Sequence, residues 1–337
     1  MNSSNVTIIG MGLIGTSLGL ALKKSGNKDL KITGHDRDHS HTRTAAKMGA
    51  IDVVETNLPK SVGNAGLVII ATPVMAIKEV LAQIATLLPE GCVVTDTGST
   101  KQDILEWADA TLPKTVEFVG GHPMAGKETS GPESASSTLF QGAAYVVIPS
   151  ARASKEAAEA ITHVAEVVGA KPFYVNAQEH DAFVAAVSHL PLVTASILAL
   201  SVVKSPAWPE MARLASSGFR DTTRLASGDP TMSRDICLTN APEIIPWIDR
   251  FITEMMEFRK LLIEGNQAAV ANHFEWTAEQ RDRWVGGAEL RPKLGTQVQI
   301  PGVAEQMASL FVGEALARKT QVLMDQYAGK DDKQKKP

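Results

Sequence analysis

Two histidines, a serine and a pair of arginines are the residues whose type and setting suggest chemistry. His122 lies in Gly120-Gly121-His122-Pro123-Met124-Ala125-Gly126, between a glycine and a proline that both constrain the backbone. A histidine in such a loop can act as a general base near neutral pH or can order the loop through backbone bonds; position alone leaves both open. Ser99 sits in Asp96-Thr97-Gly98-Ser99-Thr100-Lys101. His189, in Ser188-His189-Leu190-Pro191, begins a strongly apolar segment, where a buried, satisfied histidine is the simpler reading. Arg220 and Arg224, spaced i, i+4 after Gly218, share one face if that stretch is helical. They can hold carboxylates, or pair with Asp221 and a neighbouring acid.

Gly10-Met11-Gly12-Leu13-Ile14-Gly15 is a G-x-G-x-x-G between a predicted strand, Val6–Ile9, and a predicted helix from Leu13 to Ser25. In that context Gly10 permits the tight turn, Gly12 lets backbone approach a pyrophosphate, and Gly15 lets helix and strand pack closely. Leu13 and Ile14 then open a helix whose N-terminus faces the phosphates. Asp36, after the second predicted strand, would accept hydrogen bonds from an adenosine ribose and repel a 2′-phosphate, which favours NAD over NADP; the adjacent Arg37 could instead clamp that phosphate. Thr72 and Pro73 follow another predicted strand and point to the same cofactor edge. His35, His39 and His41 read as loop and helix-start residues. No metal is expected there.

The elements that must position these residues come in two kinds. Val6–Ile9, Lys31–Gly34, Leu67–Ala71, Cys92–Thr95, Phe118–Gly120, Tyr145–Ile148 and Pro172–Val175 read as strands. Helical patterns alternate with them, including Ala45–Met48, Ile77–Leu88 and Ser154–Val168. Leu67–Ala71 is apolar throughout, as a strand covered on both faces should be. The alternation predicts an α/β, Rossmann-type, doubly wound parallel sheet over residues 1–175. Ligands of such sheets bind beyond the carboxyl ends of the strands, where the segments carrying Thr72, Ser99 and His122 converge. From Asn176 to about Gly286 no strand is evident. Apolar-periodic runs at Glu179–Val203, Trp208–Ala215 and Ile244–Leu262, with the more polar Gln267–Val285, predict an all-helical domain over 176–288. Residues 289–337 form an extension in which Thr296–Ile300 could be a strand and Ala304–Leu323 a helix, ending in a polar, solvated tail, Lys330–Pro337.

With 337 residues, 44% hydrophobic, 21% charged and a net charge of −4, the chain can bury a sizeable core and lacks the basic excess of a nucleic-acid binder. Two distant cysteines, Cys92 and Cys237, make no disulfide framework, and Val6 starts the first apolar run without a leader, so a cytoplasmic protein is expected. Leu190–Val203 is too short for a bilayer and reads as a buried helix, so no membrane partner is expected.

The ordered set Gly10–Gly15, Asp96–Lys101, Gly120–Gly126 with Glu128 and Gly131, Ser188–Pro191 and Gly218–Arg224 resembles the prephenate/arogenate dehydrogenase family over roughly residues 5 to 285. The resemblance implies oxidative decarboxylation of prephenate, or of its transaminated form arogenate, with NAD as hydride acceptor. Removing hydride from C4 and CO2 from C1 of the cyclohexadiene yields an aromatic ring, so no metal is needed. It implies His122 as acceptor of the C4 hydroxyl proton and Ser99 as the group orienting hydroxyl, base and nicotinamide. It implies Arg224 gripping the ring carboxylate, Ser188 and His189 on the substrate side, and Glu128 as a gating carboxylate at the pocket mouth. Lys127 is a further candidate for side-chain recognition, and Arg220 and Asp221 are supporting residues. Some members carry a second histidine three residues after the one at His189; here that position is Leu192, which leaves the choice between prephenate and arogenate open. The family's helical domain forms the dimer interface, which implies a homodimer. A β-hydroxyacid dehydrogenase would instead carry Lys followed four residues later by Asn at the start of its helical domain, and no such pair lies between Asn176 and Val203.

Overall fold

The computed structural model describes residues 5–287. The strands are β1 (Asn5–Ile9), β2 (Lys31–His35), β3 (Val53–Val54), β4 (Leu67–Ile70), β5 (Val93–Asp96), β6 (Glu117–Pro123), β7 (Ala144–Pro149) and β8 (Lys171–Tyr174). The helices of the same region are α1 (Leu13–Lys24), α2 (His39–Lys47), α3 (Leu58–Val62), α4 (Val74–Ile84), α5 (Gln102–Thr111) and α6 (Lys155–Val167). They are followed by α7 (Ala177–Val184), α8 (Leu190–Val203), α9 (Trp208–Leu214), α10 (Ser217–Thr223), α11 (Pro230–Thr239), α12 (Ala241–Glu264) and α13 (Gln267–Val285). The chain divides into two compact units at Ile248/Asp249. In the second, the Phe258 ring packs 4.9 Å from His273 and 5.6 Å from Phe274.

The first unit is built on one eight-stranded sheet of order β3-β2-β1-β4-β5-β6-β7-β8. Its two faces carry separate cores. Ile8, Leu18, Ile32, Ile69, Val119 and Ile161 lie in one, and Ile9, Ile70, Ile77, Leu81, Val94 and Ile104 in the other. Alternate residues of β1 and β4 thus serve opposite layers, which explains why Leu67–Ile70 is apolar at every position. The helices start where side chains cap them: Asp38, Asn57, Ser154, Asn176 and Asp229 each accept a backbone N–H of the turn that follows.

The sheet is not wholly parallel, because β7 runs antiparallel to β6, with His122 opposite Val146. The strand expected to stop at Gly120 continues to Pro123, so His122 sits within the sheet and not in a loop after it. Gly121 marks a close approach: a Cβ there would meet the Asp96 carbonyl oxygen at 2.6 Å and the Tyr145 Oη at 3.0 Å. The two-residue strand β3 at the sheet edge and the helix α11 were not expected.

The expected helix over Glu179–Val203 is present but carries a π-helical turn at Ala185–His189 between α7 and α8. Ala177–Val203 makes a helical run of 27 residues, long and apolar enough to cross a bilayer by length and composition. His180, Asp181 and His189 lie within it, buried in polar contacts with protein groups, which a lipid-facing span would not allow. Buried, however, α8 is not. Only Ala195 is buried in a single chain, and Ile197, Leu200 and Val203 stand 58%, 46% and 46% exposed. Two of the expected segments, Thr296–Ile300 and Ala304–Leu323, lie outside the described residues, as does the tail Lys330–Pro337.

Candidate active site

The glycine turn has the form its spacing predicts. Gly10 has φ +95°, a left-handed conformation glycine adopts without strain, and a Cβ there would strike the Ala71 carbonyl oxygen at 2.5 Å. On Gly15 a Cβ would lie 1.9 Å from the Gly10 carbonyl oxygen, so no other residue fits between helix and turn. Around Gly12, by contrast, a Cβ would meet nothing within 4 Å, which leaves the backbone open to a ligand. No side chain caps α1 and no acidic residue lies in its first turn. The helix therefore presents free N–H groups and the positive end of its dipole to an anion. Asp36 accepts from the Met11 N–H (2.7 Å) and the Asp38 N–H (2.8 Å), which holds its carboxylate against the turn; Arg37 is exposed beside it. The buried Thr72 Oγ1, next to Gly10, has no hydrogen-bond partner, and Pro73 begins α4. The open backbone at Gly12, the uncapped helix and this orphaned hydroxyl fit a pyrophosphate-bearing dinucleotide.

His122 is buried on β6. Its Nδ1 lies 2.9 Å from His180 Nε2, and His180 Nδ1 lies 2.7 Å from Asp181 Oδ1. The Asp181 carboxylate also accepts the Lys101 and Gln102 N–H groups at the start of α5, at 2.8 and 2.9 Å. An oxygen that faces those donors accepts from His180 as well, which places the His180 proton on Nδ1. His180 Nε2 then accepts, neutral His122 donates through Nδ1, and His122 Nε2 is left as a bare lone pair. Burial, then His180, Lys101 and His189, hold the His122 pKa well below 6.5, so the imidazole is neutral at neutral pH.

Beneath His122, Asp96 at the end of β5 accepts the Gly98 N–H (2.7 Å) and Gly121 N–H (3.2 Å) and forms a buried ion pair with Lys101. These contacts fix the segment that carries Ser99, which is partly exposed. The helical elements are tied to the strand ends by Thr100 and Thr239, whose hydroxyls are 2.9 Å apart, and by Asp235, which accepts the Met75 N–H at 3.1 Å.

His189 is fully buried at the end of the π turn. Its Nδ1 lies 3.0 Å from Asn240 Nδ2, and its Nε2 has no partner. Ser188 is partly exposed beside it. Arg224 ends α10 and forms an ion pair with Glu128, on the segment leaving β6 after His122. Lys127 turns instead to the Ser134 carbonyl at 2.7 Å, and Arg220 and Asp221 are exposed. The structure thus brings His122 and His189 into one buried polar network and Arg224 to the His122 segment.

His180, Asp181, Lys101 and Asn240 were not singled out from the sequence. One signal existed for Asp181. It lies i, i+3 and i, i+4 from the buried Val184 and Ala185, so an ionisable group stands on the core face of a helix.

Comparison with known proteins gives a consistent pattern. Residues 18–174 match the family described as prephenate dehydrogenase, nucleotide-binding domain, and residues 176–276 the family described as prephenate dehydrogenase, dimerization domain. The chain is 33% identical over 330 residues to a prephenate dehydrogenase of Bacillus subtilis (strain 168), covering 94% of this chain and 88% of the relative. It is 30% identical over 290 residues to a cyclohexadienyl dehydrogenase of Zymomonas mobilis, covering 86% of this chain and 98% of that protein. A crystal structure of prephenate dehydrogenase from Aquifex aeolicus in complex with hydroxyphenyl propionate and NAD+ matches with a TM-score of 0.77 and 30% identity, over 83% of this chain and 98% of that one.

Proposed function

The chain belongs to the prephenate dehydrogenase family, and from that premise we infer that it oxidises and decarboxylates prephenate to 4-hydroxyphenylpyruvate, with NAD as hydride acceptor, in tyrosine biosynthesis. The observation that carries this reading is the bare Nε2 of His122, set by His180 and Asp181, on the strand next to the end of β5. NAD, held at the Gly10–Gly15 turn, would supply the acceptor for the C4 hydride. His122 Nε2 takes the C4 hydroxyl proton, and the imidazolium so formed keeps its Nδ1–H on the His180–Asp181 chain. As the C1 carboxylate leaves as CO2, its bonding pair completes the aromatic ring and the oxygen regains a proton. Ser99 orients the hydroxyl, and Arg224 holds the ring carboxylate once it leaves Glu128. Ser188 and His189 line the substrate side, and Gly10, Gly12, Gly15, Asp36, Thr72 and Pro73 hold the cofactor. The functional division falls between residues 175 and 176. The exposed face of α8 is covered by a second copy in a homodimer, a soluble cytoplasmic enzyme.

Steady-state rates at 340 nm with prephenate and arogenate, each with NAD and NADP, test the reading. The highest kcat/KM is expected with prephenate and NAD; Asp36 disfavours the 2′-phosphate of NADP. Arogenate is the second reading, supported by the similarity to the cyclohexadienyl dehydrogenase and by Leu192 where a polar contact would otherwise stand. No absorbance rise with either substrate would refute both.

A pH prediction follows from His122. Its pKa in the fold is depressed, so the active neutral form persists as pH falls through 6.5. The value of kcat/KM, which reports the free enzyme, should stay level from about pH 8 to about pH 6. An acid limb centred at 6.5 or above would contradict the burial of this base.

A further inference from the structure

Asn240 closes α11, is almost fully buried, and makes two bonds through one atom. Its Nδ2 donates to the Asp181 carbonyl at 2.9 Å and faces His189 Nδ1 at 3.0 Å. A carbonyl oxygen can only accept, so the atom facing Asp181 is the amide nitrogen. That nitrogen carries two hydrogens: one goes to the carbonyl and the other to His189 Nδ1. His189 Nδ1 must then be a lone pair, and the single proton of the neutral ring sits on Nε2. This Nε2–H is buried and, apart from the Ser99 main chain that interacts with the ring, meets no partner among the described residues. An unpaired buried donor is costly, and such groups persist where a ligand completes them.

We propose that Asn240 is a positioning residue that locks His189 in the Nε2–H tautomer, so that the site presents a fixed neutral donor to an oxygen of its anionic substrate. The proposal rests on the reading of His189 as a substrate-side residue. Asp181 then sets both histidines: through its carboxylate and His180 it leaves His122 an acceptor, and through its carbonyl and Asn240 it leaves His189 a donor. The titratable groups facing His189 are Asp181, His180 and His122, and the Ser99 main chain hydrogen-bonds with the ring. Burial outweighs Asp181 and holds the His189 pKa at about 4, so the ring stays neutral at working pH. The donor is therefore available without a proton from solution.

Asn240→Asp reverses the contact. A carboxyl or carboxylate oxygen accepts from His189 Nδ1–H, and Nε2 becomes a lone pair that repels a substrate oxygen. The KM for prephenate should rise about 10- to 100-fold, with kcat changed less and the KM for NAD unchanged. In a His189→Asn background the same substitution should add nothing. Long-range ¹H–¹⁵N spectra of histidine-labelled wild-type protein should report the Nε2–H form, and Asn240→Ala should yield a tautomer mixture with a smaller rise in KM. The proposal is overturned if the wild-type ring is protonated on Nδ1, or if Asn240→Asp raises KM by the same factor without His189. The spectra need neither substrate nor a folded Asn240→Asp variant, so the tautomer is tested even if prephenate and arogenate are not turned over, an outcome that would defeat the functional reading instead.

Discussion

Replacing His122 with asparagine should lower kcat by about 10²- to 10⁴-fold, the usual contribution of a positioned base, while the affinity for NAD stays unchanged. Asparagine fills similar space and can still donate toward His180, so the strand pairing of β6 with β7 should survive; what it lacks is a basic nitrogen. The residues proposed to hold NAD, Gly10, Gly12 and Asp36, are formed by β1, β2 and their turns and make no hydrogen bond to His122. The check is kcat at 340 nm beside an NAD titration followed by fluorescence. Turnover at the wild-type level would remove His122 as the base, and equal losses in turnover and NAD binding would indicate a collapsed site.

Arg224→Ala should raise the KM for prephenate about 10- to 100-fold, the loss of a charge-assisted contact worth about 1.5–3 kcal/mol, with a smaller change in kcat. Without ligand the guanidinium is paired with Glu128, which raises the question of whether it is free to bind substrate. Both partners are partly solvated, Arg224 at 55% and Glu128 at 34% side-chain exposure. Ion pairs of that kind contribute about 0–1 kcal/mol, less than a substrate carboxylate would gain. The substrate is therefore expected to displace Glu128, and Glu128→Gln should leave the KM unchanged or lower it. An unaltered KM in Arg224→Ala would place the carboxylate elsewhere.

The sequence was legible where chemistry is carried by consecutive residues. Gly10–Gly15 needs only its own turn and the neighbouring strand, so its geometry follows from local spacing. The buried run Leu67–Ile70 likewise announces a strand covered on both faces. What the sequence did not disclose depends on register between distant segments. His180 and Asp181 are ordinary polar residues at the start of a helix until α7 is laid against β6 and α5, where they meet His122 and the Lys101 N–H. Asn240 is an unremarkable helix end until its amide is placed between Asp181 and His189. Gly120 and Gly121 resemble a turn because glycine marks both turns and close packing, and only the neighbouring Asp96 and Tyr145 decide between them. The exposed face of α8 shows a further gap: its composition signals burial, and a single chain does not supply the cover.

One imidazole and one guanidinium are proposed to act on the same molecule, and a crystal structure of the His122→Asn protein with NAD and prephenate tests this most directly. The predicted result places the C4 hydroxyl within hydrogen-bond distance of the side chain at position 122 and the C1 carboxylate on the Arg224 guanidinium, with Glu128 displaced. Prephenate bound with its C4 hydroxyl away from position 122, or its ring carboxylate away from Arg224, would contradict it.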